Sequence, residues 1–536
     1  MTAARAILLA LLVLAVQLPA LDGGFLHDDD EYVTANPVVQ RGGDGFGPEA
    51  RGALREIWLP GRDEISVHHM PGMPLTATSF WLEWRLWGAD ARGYRTTNAL
   101  LHLACALLLW AVLARMQVPG AWWAALLWAV HPVCVESAAW IAERKNTLSL
   151  ALALCSTLAW LRWLEAGARA AWWGALAAAC AALCAKAAVV PLPVVLLGLA
   201  IWWRGRFRRA DAIALLPFFA AALAASLAAM FAQHFFYLGD VPPPPRSPLE
   251  RLLGASFALG FYAWKTLWPT GLMAVYPRWH ETLPAAVQIL PGIAIAAALA
   301  ASWSARLGWG RHALLALGGW VLVLAPTLGL ASMSYLQFTL VADHFQYHAL
   351  PFAVAGLVAC AMQLRAKLPA RAQLLPGALA AALALGLAWG SADYSAVFRD
   401  ERSLWRHTLS HNPDAWLAHQ RLGALALREG DAAAALPSLE RAAALEPGAA
   451  AVHNNLGAAL GALGRRPLAL RHFRRALELA PNDGLIQLSG AIALLQAGRP
   501  REAIPRFENA LHLLRDEHSL ALARQGLERA RRAAPD

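Results

Sequence analysis

The sequence predicts an all-α chain in two parts: a polytopic membrane helical domain of about eleven spans, then a C-terminal helical solenoid. Three observations point there. Of the 536 residues, 58% are hydrophobic and only 15% charged, against about a quarter charged in soluble domains. Apolar windows of spanning length, about 17 to 25 residues, recur between Ala6 and Gly390. Beyond Ser391 the chain turns polar, and Pro413, Pro447 and Pro481 then follow one another at a spacing of 34 residues. The expected division is 1–394 for the membrane domain and 395–536 for the repeats.

Spans are expected near residues 5–21, 98–114, 121–138, 147–163, 170–186, 188–203, 211–232, 285–303, 312–330, 348–364 and 372–390. The 24 Trp residues suit the interfacial belts of such helices. The first window, AILLALLVLAVQLPAL after Arg5, reads as a retained span or as a signal peptide cleaved near Ala20. LLGASFALGFYAWKTLWP, at 252–269, reads as a span or as a surface helix. Laid on the surface, it leaves three groups of basic residues facing the cytoplasm, as the positive-inside rule asks. These are Arg204, Arg206, Arg208 and Arg209; then Arg306 and Arg311; then Arg365, Lys367 and Arg371. The loops 22–97, 139–147, 233–284 and 331–347 then share the outer face with the C-terminus.

The formal charge of +10 is explained by those short loops. No aromatic-basic repeat accompanies it, so no nucleic-acid partner is expected. The six cysteines lie in or beside apolar runs without a C-x-x-C pair, which indicates neither a zinc site nor a disulfide framework.

In the polar part, Gly430, Gly464 and Gly498 and also Ala435, Ala469 and Ala503 keep the same 34-residue spacing as the prolines. A helix-turn-helix period of that length, with small residues where helices meet and a closing Pro, is the tetratricopeptide signature. Units fall at about 416–449, 450–483 and 484–517. Such stacks offer a concave groove to a protein partner or acceptor. Asn454 and Asn455 are either ligands of a peptide backbone in that groove or part of a solvated helix face.

The outer loops carry the unusual polar residues. FLHDDDEYVTANP, 25–37, sets Asp28, Asp29, Asp30 and Glu31 in a row just past the first window. Carboxylates there can bind a metal, repel anions or take a proton from an attacking hydroxyl, and a solvated loop capping a helix is the structural alternative. HPVCVESAAWIAERKNTLS, 131–149, places Glu136, Trp140, Glu143 and Arg144 on one face if helical. Arg144 and Lys145 oppose the orientation rule, which suggests an anionic ligand. Lys186, inside ALCAKAAVVPLP, is a further cation in an apolar run. VADHFQYHALP adds Asp343, His344 and His348; the two histidines have a metal-compatible spacing but no evident third ligand. Acids for proton abstraction beside cations for phosphate describe a transferase that draws a lipid-phosphate donor from the bilayer.

These segments, with MPLTATSFWLEWRLWGADARGYRTTNALLH and YAWKTLWPTGLMAVYP, in this order and followed by tetratricopeptide repeats, resemble the bacterial relatives of the transmembrane-and-tetratricopeptide O-mannosyltransferases. That family looks like a branch of the GT-C membrane glycosyltransferases. The resemblance implies transfer of a sugar, mannose in the family, from a polyprenyl-phosphate donor to a protein hydroxyl outside the plasma membrane of a bacterium, with inversion. It implies that Asp28 or Asp29 is the general base, with Asp30 nearby for substrate. Arg144, Lys145 and Lys186 would hold the phosphate, and Glu136 and Glu143 would orient the sugar. No metal or resident cofactor is implied; the lipid-linked sugar is a substrate. The chain departs from the family where relatives carry Asp-Arg-Tyr, having Asp343, His344 and Phe345, and where they carry His, having Arg95. Two other readings compete: a non-catalytic scaffold assembling envelope proteins through the repeats, and a transporter of a lipid-linked sugar.

Overall fold

The computed structural model describes residues 2–60, 69–237, 246–369, 372–514 and 517–534. Arg371, parts of the loops 22–97 and 233–284, and two residues of the third repeat window lie outside these. The described residues are helical, with no strand among them. Two compact units divide the chain, one running to Ser403 and the other from Leu404 onward together with Val275–Pro277. The last long apolar helix, Leu375–Val397, continues past the change of composition at Ser391 because Ser391, Tyr394 and Ser395 are themselves buried; the Ser391 hydroxyl donates to the Val130 carbonyl at 2.8 Å.

Among the described residues of the first unit, seven helices are long and apolar enough to cross a membrane: Ala3–Leu21, Ala91–Arg115, Ile141–Ala166, Ala187–Arg204, Leu216–Phe236, Ala285–Ser304 and Leu375–Val397. Two further windows form the shorter apolar helices Arg169–Ala185 and Leu350–Arg365. The remaining two are irregular, the first broken and the second helical from Gly310 to Thr327 with changes of winding. Residues 121–138 become the helix Ala121–Ala129 and then short pieces from Pro132 on; residues 312–330 alternate between wide and tight helical turns up to Thr327. Side chains such as Leu379, Leu383 and Leu385 are exposed along Leu375–Val397, as expected of a helix facing lipid.

The ambiguous window folds as Pro248–Leu267, opened by a capping box between Ser247 and Glu250. One face, including Ala258, Phe261 and Tyr262, is buried, while Leu252, Trp264 and Leu267 are exposed. It packs closely on Ala285–Ser304. Pro291 interrupts that second helix, and the Gly292 N–H donates instead to the Ser256 hydroxyl at 2.8 Å.

The second unit stacks helix pairs Trp416–Arg428 and Ala432–Leu445, Ala450–Ala462 and Arg466–Leu479, Gly484–Gln496 and Pro500–Leu513, followed by Glu517–Ala533. The small residues of the repeat stand where helices cross: a Cβ on Gly457 would meet the Phe473 ring at 3.0 Å, so the first helix of that unit can sit directly on the second. A further device recurs at the same period. His419, His453 and Gln487 each bond a side-chain nitrogen to the carbonyl of the proline six residues earlier, Pro413, Pro447 and Pro481, at 2.9, 3.1 and 2.6 Å. Each bond ties the start of one unit to the closing turn of the last.

Candidate functional site

The acidic loop begins where Ala3–Leu21 ends. Gly23 is needed there, since a Cβ would lie 2.5 Å from the Arg399 carbonyl oxygen and 2.9 Å from the Arg95 guanidinium carbon. Arg95 donates to the Gly24 carbonyl and, at 2.9 Å, to that of Ala139. The arginine that departs from the family pattern thus joins the loop to the segment 131–149.

The four acids have different surroundings. Asp29 is fully buried. One of its carboxylate oxygens accepts from the Leu26 N–H and the other from the Ala142 N–H, both at 2.7 Å. Burial pushes its carboxyl from 3.8 up to about 7; the Leu26 N–H, Arg95 and the Ala142 N–H pull it down, and the charge of Asp28 is the smallest of these influences. Crowding among the acids is therefore secondary to desolvation. Asp28 is open, with 38% of its side chain exposed, and one oxygen lies 3.0 Å from His27 Nε2. Asp30 accepts from the Thr34 hydroxyl at 2.6 Å inside the wide helical turn Asp30–Thr34. The cap of the next short helix is Asn36, which accepts from the N–H groups of Val38 and Val39.

The segment 131–149 is not one helix, so Glu136, Trp140, Glu143 and Arg144 do not share a helical face. Val135–Ala139 ends at Trp140, whose backbone is extended, and a tight turn over Ile141–Glu143 precedes Arg144–Ala166. Side chains from Ala91–Arg115 satisfy the interrupted backbone: Arg95 at Ala139, and Asn98 at the Trp140 carbonyl at 2.8 Å.

Arg144 and Lys145, adjacent at the start of Arg144–Ala166, have different partners. Arg144, expected to hold a phosphate, is used within the protein. It is 1% exposed, and each of its three guanidinium nitrogens has an acceptor: Asn98 Oδ1, Glu83 Oε2 at 2.8 Å and the Tyr94 carbonyl at 2.8 Å. Lys145 lies 2.9 Å from Glu143 Oε1 and 5.4 Å from the centre of the Tyr32 ring. Asn146 links the second oxygen of Glu143 to Lys186: its amide donates to Glu143 Oε2 at 2.5 Å, and its carbonyl accepts from Lys186 Nζ at 2.5 Å. Lys186 reaches this point because its backbone is extended between Arg169–Ala185 and the next helical turn.

Glu136 accepts from both the backbone N–H and Nδ1 of His344, each at 3.0 Å, which puts the ring proton on Nδ1. His348 faces the Ser149 hydroxyl at 2.8 Å, so the two histidines serve different partners. Among the described residues no group of three His, Cys, Asp or Glu side chains could hold a metal. Asp343 is buried and accepts from the Tyr394 hydroxyl at 3.3 Å.

The structure thus brings the acidic loop to Ala142 through Asp29 and to Lys145 through Tyr32; Glu143 and Asn146 link Lys145 to Lys186, and Glu136 pairs with His344. It gives Arg144 to a separate buried pair. Asn454 and Asn455 belong to the other compact unit and are half-buried; the Asn454 Oδ1 atom is buried with no hydrogen-bond partner. Sequence reasoning missed Tyr32, Asn98 and Asn146 as members of these networks. Tyr32 and Asn146 stand inside the two quoted motifs, and their position there was the available signal.

The tetratricopeptide-repeat family model matches residues 450–483. A protein O-mannosyl-transferase of Caenorhabditis elegans is 30% identical over 143 residues, covering 26% of this chain and 20% of that protein. A protein O-mannosyl-transferase of Mus musculus is 31% identical over 140 residues, covering 25% and 14%. The chain therefore spans a fifth or less of these relatives' length. Among solved structures, MamA is 32% identical over 25% of this chain and 78% of its own, with a TM-score of 0.19. YrrB, described as a TPR protein with an unusual peptide-binding site, is 17% identical over 27% and 81%, with a TM-score of 0.22. At such scores nothing about function transfers.

Proposed function

We propose, with the likeness to protein O-mannosyl-transferases as premise, that this membrane protein is a glycosyltransferase. It moves a sugar, mannose in the simplest case, from a polyprenyl-phosphate donor to a hydroxyl of a protein acceptor on the outer face of a bacterial plasma membrane. The observation that supports this best is the contact of the acidic loop with Lys145 through Tyr32, with Lys186 joined to Lys145 by way of Asn146 and Glu143.

In this reading Asp28 is the base. The acceptor oxygen forms its bond to the anomeric carbon as its proton passes to the Asp28 carboxylate. The bond from that carbon to the phosphate oxygen breaks on the opposite side, its electron pair leaves with the polyprenyl phosphate, and the configuration inverts. Lys145 and Lys186 hold the phosphate and offset its growing charge, replacing part of their present contact with Glu143 and Asn146. Glu143, Glu136 and His344 line the sugar side, with Asp30 and Asp343 at its edges. Asp29 and Arg144 position the segments. The repeats present the acceptor, with Asn454 and Asn455 as backbone ligands.

The test is a transfer assay with labelled lipid-linked sugar in membranes carrying wild type or Lys145→Ala with Lys186→Ala. The reading expects the double substitution to raise the donor KM by about tenfold or more and to leave acceptor capture by the repeats unchanged. Absence of transfer by wild type across donors, with capture intact, favours the scaffold.

A further inference from the structure

We propose that His27 is the positioning residue of this transfer, holding the Asp28 carboxylate in place for proton abstraction; the inference rests on the reading of Asp28 as the base.

Two independent features of His27 lead there. The first is its backbone. His27 has φ of +34°, a left-handed conformation that glycine adopts without penalty and a residue with a Cβ does not. The turn around it is closed from several directions. The Asp29 N–H donates to the Leu26 carbonyl at 2.7 Å and the Asp30 N–H to the His27 carbonyl at 3.3 Å. The Asp29 carboxylate holds the Leu26 N–H from the other side. The loop therefore keeps a residue with a large side chain where glycine would fit more easily, although glycines stand at Gly23 and Gly24. Strain retained in this way marks positions where the side chain does something the backbone cannot.

The second feature is what that side chain meets. Nε2 lies 3.0 Å from Asp28 Oδ1, and the imidazole is only 11% exposed where Asp28 is 38% exposed. Its ring stands against Trp140 at a centroid distance of 6.2 Å. Trp140 packs in turn on Phe398 at 6.1 Å, and its carbonyl is held by Asn98. Besides Arg95, Asp29 at Ala142 and His27 at Trp140 fasten the acidic loop to the break at residue 140. His27 also meets the Asp28 carboxylate.

The chemistry suits this arrangement. The imidazole Nε2, 3.0 Å from Oδ1, is placed to hold the carboxylate in one plane. The acceptor proton then moves onto Asp28 as the new carbon–oxygen bond forms and the phosphate leaves with its electron pair. Reacting groups must be held to within a fraction of an ångström, and a displacement of about 1 Å costs on the order of a hundredfold in rate.

Glycine at position 27 separates a turn role from a positioning role, because it relieves the backbone while removing the imidazole. Full-length His27→Gly, His27→Gln and Asp28→Asn would be compared with wild type in membranes for folded yield, melting temperature, kcat and donor KM. The expected result is a His27→Gly protein at least as stable as wild type, with kcat lower by about tenfold or more and donor KM within about twofold. His27→Gln, whose amide N–H can reach the carboxylate, should recover several-fold of that loss. Wild-type kcat in His27→Gly overturns the positioning role, as does loss of folded protein in that variant. If Asp28→Asn is inert while His27→Gly is fully active, only the role of His27 fails. Full activity in Asp28→Asn overturns the assignment of the base itself.

Discussion

Asp28 and Asp29 are adjacent and identical in type, yet they differ in burial and in partners. Both oxygens of Asp29 receive backbone N–H groups, so an amide in its place would set an NH2 against an N–H. Asp29→Asn should therefore lose about 1–3 kcal/mol of stability, whereas Asp28→Asn should change stability by less than about 0.5 kcal/mol; thermal unfolding in detergent separates the two. The carboxyl of Asp29, pushed up to about 7 chiefly by burial, gives a pH signature. Between its ordinary value of 3.8 and about 7 the folded chain binds this proton and the unfolded chain does not. The stabilisation is thus complete below the ordinary value and is lost as pH rises through about 7. Wild type should lose stability from pH 5 to 8 more steeply than Asp29→Asn, and parallel profiles would contradict the account. Arg144 follows another rule. Removing Glu83 strands a buried guanidinium, at a cost of about 3–5 kcal/mol. Glu83→Gln should therefore sharply reduce folded yield, and Glu83→Leu combined with Arg144→Met should recover much of it.

Among the elements, the break at Trp140 positions the site. A continuous helix would have set Glu136, Trp140, Glu143 and Arg144 along one face; the extended Trp140 and the turn after it separate Glu136, paired with His344, from the start of Arg144–Ala166, where Arg144 enters the protein and Lys145 meets Glu143. This was not legible in the sequence. The partners that stabilise the break, Arg95 and Asn98, lie some forty residues upstream in a different helix. The repeats show the opposite case. Their helices and small contact positions followed directly from the 34-residue period, and the tether to each closing proline lay in the same period, hidden because His419 and His453 are succeeded by Gln487. His453→Gln should keep this tether, as Gln487 does, while His453→Leu should lose about 0.5–1.5 kcal/mol; urea or thermal melts of the full chain check the difference.

For the whole molecule, apolar run length was a dependable guide wherever a helix faces lipid along its length, as Leu375–Val397 does. It failed at residues 121–138, where apolar composition reflects burial in protein and the backbone is free to bend around neighbouring side chains. The residues of the candidate site stood out by type: acids after the first span, lysines at Lys145 and Lys186. Which acid is open depends on an N–H at Ala142, more than a hundred residues away in the chain, and no local pattern carries that information. The central claim is that Asp28 is the base of a sugar transfer from polyprenyl phosphate. Transfer of labelled sugar to protein, in membranes containing equal folded amounts of wild type or Asp28→Asn, tests it most directly. The account predicts incorporation with wild type and a loss of about a hundredfold or more with Asp28→Asn. Equal incorporation by the two proteins would contradict it.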